Sequence, residues 1–167
     1  MHQFLVFLEQ LDFSMWVKNS PSVWAFPTIL LVHTLGMSIV AGGAAMLDLM
    51  KELNHPAIRL NFDTGNIAYY NRSADPCAEL EKVKHLVRNV HIKDNRGGFE
   101  DWFFPAVGDG GAVDFTRIRE ILDGVGFTGH YTIEIEGIGG EPEPGLGGRH
   151  DRVKRSALHL KACGYFD

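Results

Sequence analysis

Two carboxylates and one imidazole stand at the ends of three segments that have the residue pattern of β-strands. They belong to Asp63, His91 and Glu134. Oxygen-rich sites with one imidazole suit Mn²⁺, Mg²⁺, Co²⁺ or Zn²⁺, and the residue types do not choose among these ions. The alternative interpretation is that the three side chains are solvated or ion-paired strand ends. The spacing alone leaves both interpretations open.

Three strands must position these side chains, and each run alternates apolar and polar residues. The runs are Ile58–Phe62, Val90–Lys93 and Tyr131–Glu136. Because side chains alternate across a strand, each run presents one apolar and one polar face, with the polar residues near its carboxyl end. Active sites gather at that end of a parallel barrel, whereas an open doubly wound sheet is apolar on both faces. The pattern therefore favours a barrel lumen.

Helices are predicted after each strand. Asp75 with Pro76 gives a helix start, and Asp114 gives another. A last helix is expected from about Arg149 to Ala162. Strands that alternate with helices at this spacing predict an α/β fold with a parallel sheet.

Four motifs occur in an order that resembles a known family. They are N-F-D-T-G-N (61–66), H-I-K-D (91–94), V-G-D-G-G-A-V-D-F (107–115) and G-F-T-G-H-Y-T-I-E-I-E-G (126–137). Together they resemble the sugar phosphate isomerase/epimerase family with the xylose-isomerase-like TIM barrel, from roughly Lys51 to Asp167. The resemblance implies a partial (β/α) TIM-type barrel, its last three strand–helix units, in residues 51–167.

The resemblance also implies a metal site and a reaction. Family members hold one divalent metal with Glu, Asp, His and Glu from four successive strands. Asp63, His91 and Glu134 match the last three of these, and the strand of the first Glu is not found in this chain. Glu134 further resembles one of two glutamates that transfer a proton next to the carbonyl of a sugar or sugar phosphate, through an enediolate. The missing Glu predicts impaired activity.

Three more residues are candidate substrate contacts. Asn66 stands where many relatives carry a His that contacts a substrate oxygen; an amide can hydrogen-bond there but cannot carry a proton as imidazole does. Lys93 and Arg96 are candidates for binding hydroxyl or phosphate groups. The alternative for both is a role as ion-pair partners of Asp94 and Glu134.

The first fifty residues differ from the rest. Phe26–Leu47 contains no Asp, Glu, Lys or Arg and has the roughly 20 residues that a membrane-spanning helix needs. Residues 1–50 also resemble the start of small bacterial multi-pass membrane proteins. They therefore predict a hydrophobic membrane segment followed by a cytoplasmic C-terminal domain. The alternative is a buried helix in a cytoplasmic protein.

The net charge and the open edges of the predicted sheet indicate which partners to expect. A net charge of −5 with scattered Lys and Arg opposes nucleic-acid binding, so no nucleic-acid partner is expected. Three parallel strands leave two open sheet edges, which predicts pairing with another copy as a possible homo-oligomer. The alternative to an enzyme is a catalytically inactive, membrane-anchored remnant or fusion.

Overall fold

The computed structural model describes residues 43–55 and 58–166. Helices and strands alternate through these ranges. In chain order the elements are α1 (Gly43–Leu53), β1 (Leu60–Asp63), α2 (Asn66–Tyr70), α3 (Pro76–Val83), a 3₁₀ helix (Lys84–Leu86), β2 (Val87–Ile92), α4 (Phe115–Asp123), β3 (His130–Ile133) and α5 (Leu146–Ala162).

The strands of the described ranges form one parallel sheet in the order β1-β2-β3. Asp63 lies opposite His91, and His91 lies opposite Thr132. This confirms the predicted α/β fold with a partial parallel sheet of the TIM-barrel type. After a register shift between Leu60 and Asn61, the pairing places Asn61 and Asp63 of β1 on the same face as Asn89 and His91 of β2 and as Thr132 of β3.

Helix starts follow the predicted caps. The Asp75 carboxylate accepts a hydrogen bond from the Ala78 N–H at 2.7 Å, and Pro76 is the first helical residue of α3. The Asp114 carboxylate accepts one from the Arg117 N–H at 2.9 Å and starts α4. Each cap satisfies an N–H that has no partner within its helix, so both termini are fixed by local sequence.

The hydrophobic core lies between the apolar face of the sheet and the helices. Apolar strand side chains with at most 4% exposure meet the inward faces of α3, α4 and α5 there. Its members include Leu60, Phe62, Val90, Ile92, Leu80, Ile118, Leu122 and Leu160. Burial of this apolar surface holds the strands in place, and the opposite face keeps the polar side chains.

Helix α1 extends the core beyond β1. Met46 and Met50, one helical turn apart, are buried in the hydrophobic core, while Asp48 and Lys51 are exposed. In the described part of the chain, no helix is both long and apolar enough to cross a membrane. Most of the predicted membrane segment Phe26–Leu47 lies outside the described residues. It and the domain boundary at residue 50 stay predictions.

Two differences from the sequence expectation bear on the site. Helix α2 lies between β1 and α3, where no helix is predicted. Strand β3 covers His130–Ile133 rather than Tyr131–Glu136, so Glu134 and Glu136 follow the strand. The Glu134 N–H still donates to the Ile92 carbonyl at 3.0 Å, which keeps Glu134 aligned with β2.

Candidate metal centre

Asp63, His91 and Glu134 meet where the three strands end. Asp63 is the last residue of β1, His91 lies beside it in β2, and Glu134 directly follows β3. One ligand atom from each residue lies within 4.8 Å of the other two. Parallel register brings them together, because residues far apart in sequence become neighbours at one edge of the sheet.

The chemistry of this donor set fits one divalent cation. Ligand atoms bound at about 2.1 Å from a common ion are separated by roughly 3 to 4 Å, so small side-chain rotations suffice here. Two carboxylate oxygens with one imidazole nitrogen are compatible with Mn²⁺, Mg²⁺, Co²⁺ or Zn²⁺. The identity of the ion stays open.

The Asp63 carboxylate is fixed by the turn that follows it. Its Oδ1 accepts hydrogen bonds from the N–H groups of Gly65 at 3.1 Å and Asn66 at 2.9 Å. Its Oδ2 accepts one from the Asn66 side-chain amide at 2.8 Å and faces the cluster. Burial raises the pKa of Asp63, which is 2% exposed, although Lys93 and the Asn66 N–H oppose this. One oxygen is thus held by backbone and the other is directed at the site.

His91 and Glu134 form the closest contact among the three. His91 Nδ1 lies 2.6 Å from Glu134 Oε1 and 3.8 Å from Asp63 Oδ2. The hydrogen bond from His91 lowers the pKa of Glu134 to about 2, helped by Lys93 and opposed by burial. Glu134 is therefore ionised at neutral pH, which is the form that binds a cation.

Lys93 places a buried positive charge beside the carboxylates. Its Nζ lies 2.8 Å from Glu134 Oε2, 2.7 Å from Glu136 Oε1 and 3.6 Å from Asp63 Oδ2. Burial alone would lower the pKa of Lys93, which is 2% exposed, but the three carboxylates outweigh it and raise the pKa. Lys93 therefore stays an ammonium and compensates part of the negative charge that gathers here.

The other two candidate substrate contacts have different positions. Asn66 belongs to the cluster, because its amide nitrogen binds Asp63 and its Oδ1 lies 3.5 Å from Lys93 Nζ. Arg96 is held elsewhere. Its guanidinium makes a two-bond pair with Asp101 and lies 4.4 Å from the centre of the Phe103 ring. Lys93 is thus an ion-pair partner of Glu134, whereas the partner of Arg96 is Asp101 rather than Asp94.

Asp94 and Glu136 were not among the predicted site residues. The buried Asp94 carboxylate accepts hydrogen bonds from the N–H groups of Asn95 at 2.9 Å, Gly108 at 2.9 Å and Val113 at 3.4 Å. It therefore fixes both ends of the loop that follows β2. Glu136 binds Lys93 and lines a cavity of about 520 Å³ next to the cluster. Its position on the polar face, two residues after Glu134, was the sequence signal for it.

The amino-acid sequence is similar to those of known proteins over most of its length. A family model described as xylose isomerase-like TIM barrel matches residues 28–163, so the match starts ahead of Lys51. An inosose dehydratase of Erwinia tasmaniensis is 31% identical over 126 residues, in an alignment that covers 65% of this chain and 41% of the relative. The chain spans about two fifths of the length of such relatives.

Two solved structures share the fold. A xylose isomerase domain protein from Planctomyces limnophilus is 28% identical, with a TM-score of 0.53 over 73% of this chain and 43% of that one. A D-tagatose 3-epimerase-like protein has 23% identity and a TM-score of 0.54, over 73% of this chain and 40% of that one. Both comparisons support a barrel-type arrangement of the described strands and helices.

Proposed function

The chain belongs to the xylose isomerase-like TIM barrel family, and from this premise we propose that it carries the metal-binding and proton-transfer part of a sugar isomerase, epimerase or dehydratase site. One observation carries the proposal. Asp63, His91 and Glu134 present ligand atoms within 4.8 Å of one another. The inosose dehydratase relative and the D-tagatose 3-epimerase-like structure support chemistry next to the carbonyl of a polyhydroxylated substrate.

Asp63, His91 and Glu134 would hold the divalent cation. Such an ion, when bound, stabilises the negative charge that develops on substrate oxygens during enediolate formation. The backbone bonds to Asp63 fix its carboxylate before any ligand arrives. That preorganisation lowers the cost of gathering like charges around the ion.

Glu134 and Lys93 are proposed to act on the substrate side. Glu134 is ionised at neutral pH, which is the form that a base needs, and we assign it the role of accepting a proton from the carbon next to the carbonyl. The hydrogen bond from His91 that lowers its pKa also weakens it as a base, so that bond has to break before the transfer. The Lys93 ammonium, 2.8 Å from Glu134, orients that carboxylate and offers a positive charge to substrate oxygens. Asn66 can hydrogen-bond a substrate hydroxyl but transfers no proton.

The family's first glutamate has no counterpart in α1. Within the described residues that precede β1, Glu52 is the glutamate, and it is exposed on α1. The proposed site therefore has three protein ligands from the described strands. The second proposal is a chain that binds the cation without catalysis, and the finding that favours it is that the described residues supply three of the family's four ligands.

Calorimetric titration with Mn²⁺ tests the metal site. The wild-type chain is compared with the isosteric variants Asp63→Asn and Glu134→Gln, and with Asp48→Asn as a matched control, since Asp48 is exposed on α1. We expect binding that is weakened by more than about 100-fold in both site variants and unchanged in the control. Equal binding by all four proteins refutes the assigned ligands.

Deuterium exchange tests the chemistry separately. Inososes and ketoses are incubated with the Mn²⁺-loaded chain in D₂O, and proton NMR follows loss of the signal next to the carbonyl. Exchange that is absent in Glu134→Gln even at Mn²⁺ concentrations that saturate this variant supports proton transfer by Glu134. Metal binding without exchange on any of these substrates would favour the inactive alternative.

A further inference from the structure

A pocket of about 130 Å³ lies at the amino ends of the strands, on the opposite side of the sheet from the metal centre. It is formed by the two connections that lead into β2 and β3. The first connection and the start of β2 contribute Lys84, His85 and Arg88, and the second connection contributes the segment 125–128. The volume is below the roughly 300–1,000 Å³ of sites for whole small molecules, so the pocket admits one small group.

Strand β2 separates this pocket from the candidate metal ligands. Arg88 precedes His91 in β2 by roughly 10 Å of extended strand. His85 and the turn before β3 lie still further from the carboxyl ends of the strands. A ligand in this pocket therefore contacts none of the candidate metal ligands.

The pocket is basic, although the chain as a whole has a net charge of −5. The carboxylates of the flanking helices α3 and α4 each face a cation on those helices or on the 3₁₀ helix. The pairs are Glu79–Lys82, Glu81–Lys84, Glu81–Arg117, Glu120–Arg117 and Asp123–Arg119. Within the described residues Arg88 has no carboxylate partner, and its guanidinium donates to the Val87 carbonyl at 2.7 Å. Arg88 therefore leaves an uncompensated positive charge at the pocket.

The lining also has hydrogen-bond donors that are available to an anion. In the described part of the chain, neither the His85 imidazole nor the Thr128 hydroxyl has a hydrogen-bond partner. The Arg88 guanidinium uses one of its five N–H groups on the backbone. A guanidinium binds two oxygens of a phosphate group at once, and an imidazole or a hydroxyl can donate to the others.

The turn that closes the pocket is fixed before a ligand arrives. The N–H groups of Val125 and Phe127 both donate to the Leu122 carbonyl at 3.1 Å. Gly129 lies so close to the Arg88 carbonyl that a Cβ atom at this position would collide with it. The turn is therefore held against the start of β2, and a preformed wall reduces the entropic cost of binding.

From these observations we infer that the pocket binds a phosphate group, either as inorganic phosphate or as the phosphate of a small metabolite. Arg88 is the main anchor, and Lys84, His85 and Thr128 surround the remaining oxygens. Bound phosphate connects the 3₁₀ helix to the turn before β3. This inference goes beyond the proposed function, because phosphate binding here needs neither the metal nor the reaction.

Two-dimensional ¹H–¹⁵N NMR of the full, metal-free chain tests the site by titration with sodium phosphate at constant ionic strength. We expect saturable shifts of the backbone amide signals of His85, Arg88 and Thr128, with a Kd on the order of 1 mM, and no shift of those of residues 61–66. Acetate, with one charge and two oxygens, should bind about tenfold more weakly.

Glycerol 3-phosphate, titrated in the same way, distinguishes the two sources of the phosphate group. Tighter binding than that of inorganic phosphate supports the phosphate of a metabolite. Equal or weaker binding supports the free ion.

Single substitutions test the assigned residues. Arg88→Gln should weaken phosphate binding by about tenfold or more, and Thr128→Val by about two- to fivefold, because a charged donor contributes more than a neutral one. Arg59→Gln is the matched control. Arg59 donates to the Ile58 carbonyl at 2.7 Å, as Arg88 does to that of Val87, but it lies outside the lining of the pocket. Its replacement should change the Kd by less than about twofold.

Four results would each overturn the inference. They are the absence of saturable shifts in the wild-type chain, acetate binding as tight as phosphate binding, wild-type affinity in Arg88→Gln, and equal losses in Arg59→Gln and Arg88→Gln. The dispersion of the amide signals checks that each variant is folded. Because both arginines have exposed or half-buried side chains, we expect every variant to keep the fold.

Discussion

Replacement of Lys93 by methionine removes the positive charge that the carboxylates of the candidate site share. The aliphatic stem of Lys93 packs against Gly65, and methionine retains a stem of similar length, so the change is mainly electrostatic. Asp63 is left buried without its counter-charge, while Glu134 and Glu136 lose hydrogen bonds of 2.8 and 2.7 Å. The variant should therefore be less stable than the wild-type chain.

The expected loss can be sized from the burial of these groups. Breaking a fully buried pair costs about 3–5 kcal/mol, but the side chains of Glu134 and Glu136 are 28% and 34% exposed and can be partly solvated. We therefore expect a decrease of about 2–3 kcal/mol in the free energy of unfolding. That corresponds to a fall of roughly 5–12 °C in Tm.

Thermal unfolding followed by circular dichroism, at neutral pH with and without Mn²⁺, measures the effect. Lys82→Met is the matched control, because Lys82 is exposed and pairs with Glu79 on the surface of α3. Mn²⁺ should restore more stability to Lys93→Met than to the wild type, since the cation replaces the lost charge. Equal Tm values for the Lys82 and Lys93 variants would refute the reasoning.

The pH dependence of this difference has a defined sign. The pKa of Lys93 is raised in the folded state, so its stabilisation is complete below its ordinary pKa of about 10.4 and is lost as pH rises through the folded value. The pKa of Glu134 is lowered to about 2, so its contribution is present above its unfolded pKa and is lost as pH falls from about 4.5 towards 2. The difference in the free energy of unfolding between the wild type and Lys93→Met should therefore decrease as the pH falls from about 4.5 towards 2.

Three further predictions concern the core, the loop after β2 and one thiol. Leu122→Ala should lower the free energy of unfolding, measured in urea, by about 2–5 kcal/mol because Leu122 is fully buried. Leu158 is exposed on α5, so Leu158→Ala should change the same free energy by less than about 0.5 kcal/mol. Asp94→Ala should lower the free energy of unfolding by about 2–4 kcal/mol, because three N–H groups lose their acceptor, and should speed proteolysis between residues 95 and 113. Asp94→Asn keeps an acceptor oxygen and should recover part of the lost free energy. Burial raises the pKa of the Cys77 thiol to about 11, so its alkylation by iodoacetamide at pH 8 should be about 100-fold slower than in the urea-unfolded chain. Peptide mass spectrometry measures both rates, and equal rates would contradict the buried environment of this thiol.

Local sequence signals were sufficient for much of the sheet and its helices. Alternation in Val90–Lys93 and the capping residues Asp75 and Asp114 predicted elements that the structure contains, because strand faces and helix starts depend on neighbouring residues. Helix α1 begins within the predicted helical segment of residues 1–50 and continues to Leu53, beyond its predicted end. The four-residue spacing of the buried Met46 and Met50 is typical of an amphipathic helix.

The parts of the site that sequence could not predict depend on contacts between loops and strands. Lys93 was expected to contact substrate or Glu134, but its simultaneous bonds to Glu134 and Glu136 need the register of β2 against β3. Arg96 follows Lys93 closely in sequence, yet it pairs with Asp101, which a bend at Gly97 and a turn from Gly98 to Asp101 bring back to it. Short-range spacing does not determine where a loop side chain points.

Strands position the candidate metal ligands of this protein, whereas a loop shapes the adjoining cavity, so the two features can change separately during evolution. The metal ligands depend on side-chain alternation, so a single inserted residue in β2 would turn His91 towards the helices and Val90 towards the polar face. The cavity beside Glu136 is instead shaped by the segment 137–144, whose length and composition can change without shifting any strand. Selection for a new substrate can therefore act on that loop while the strands are inherited unaltered.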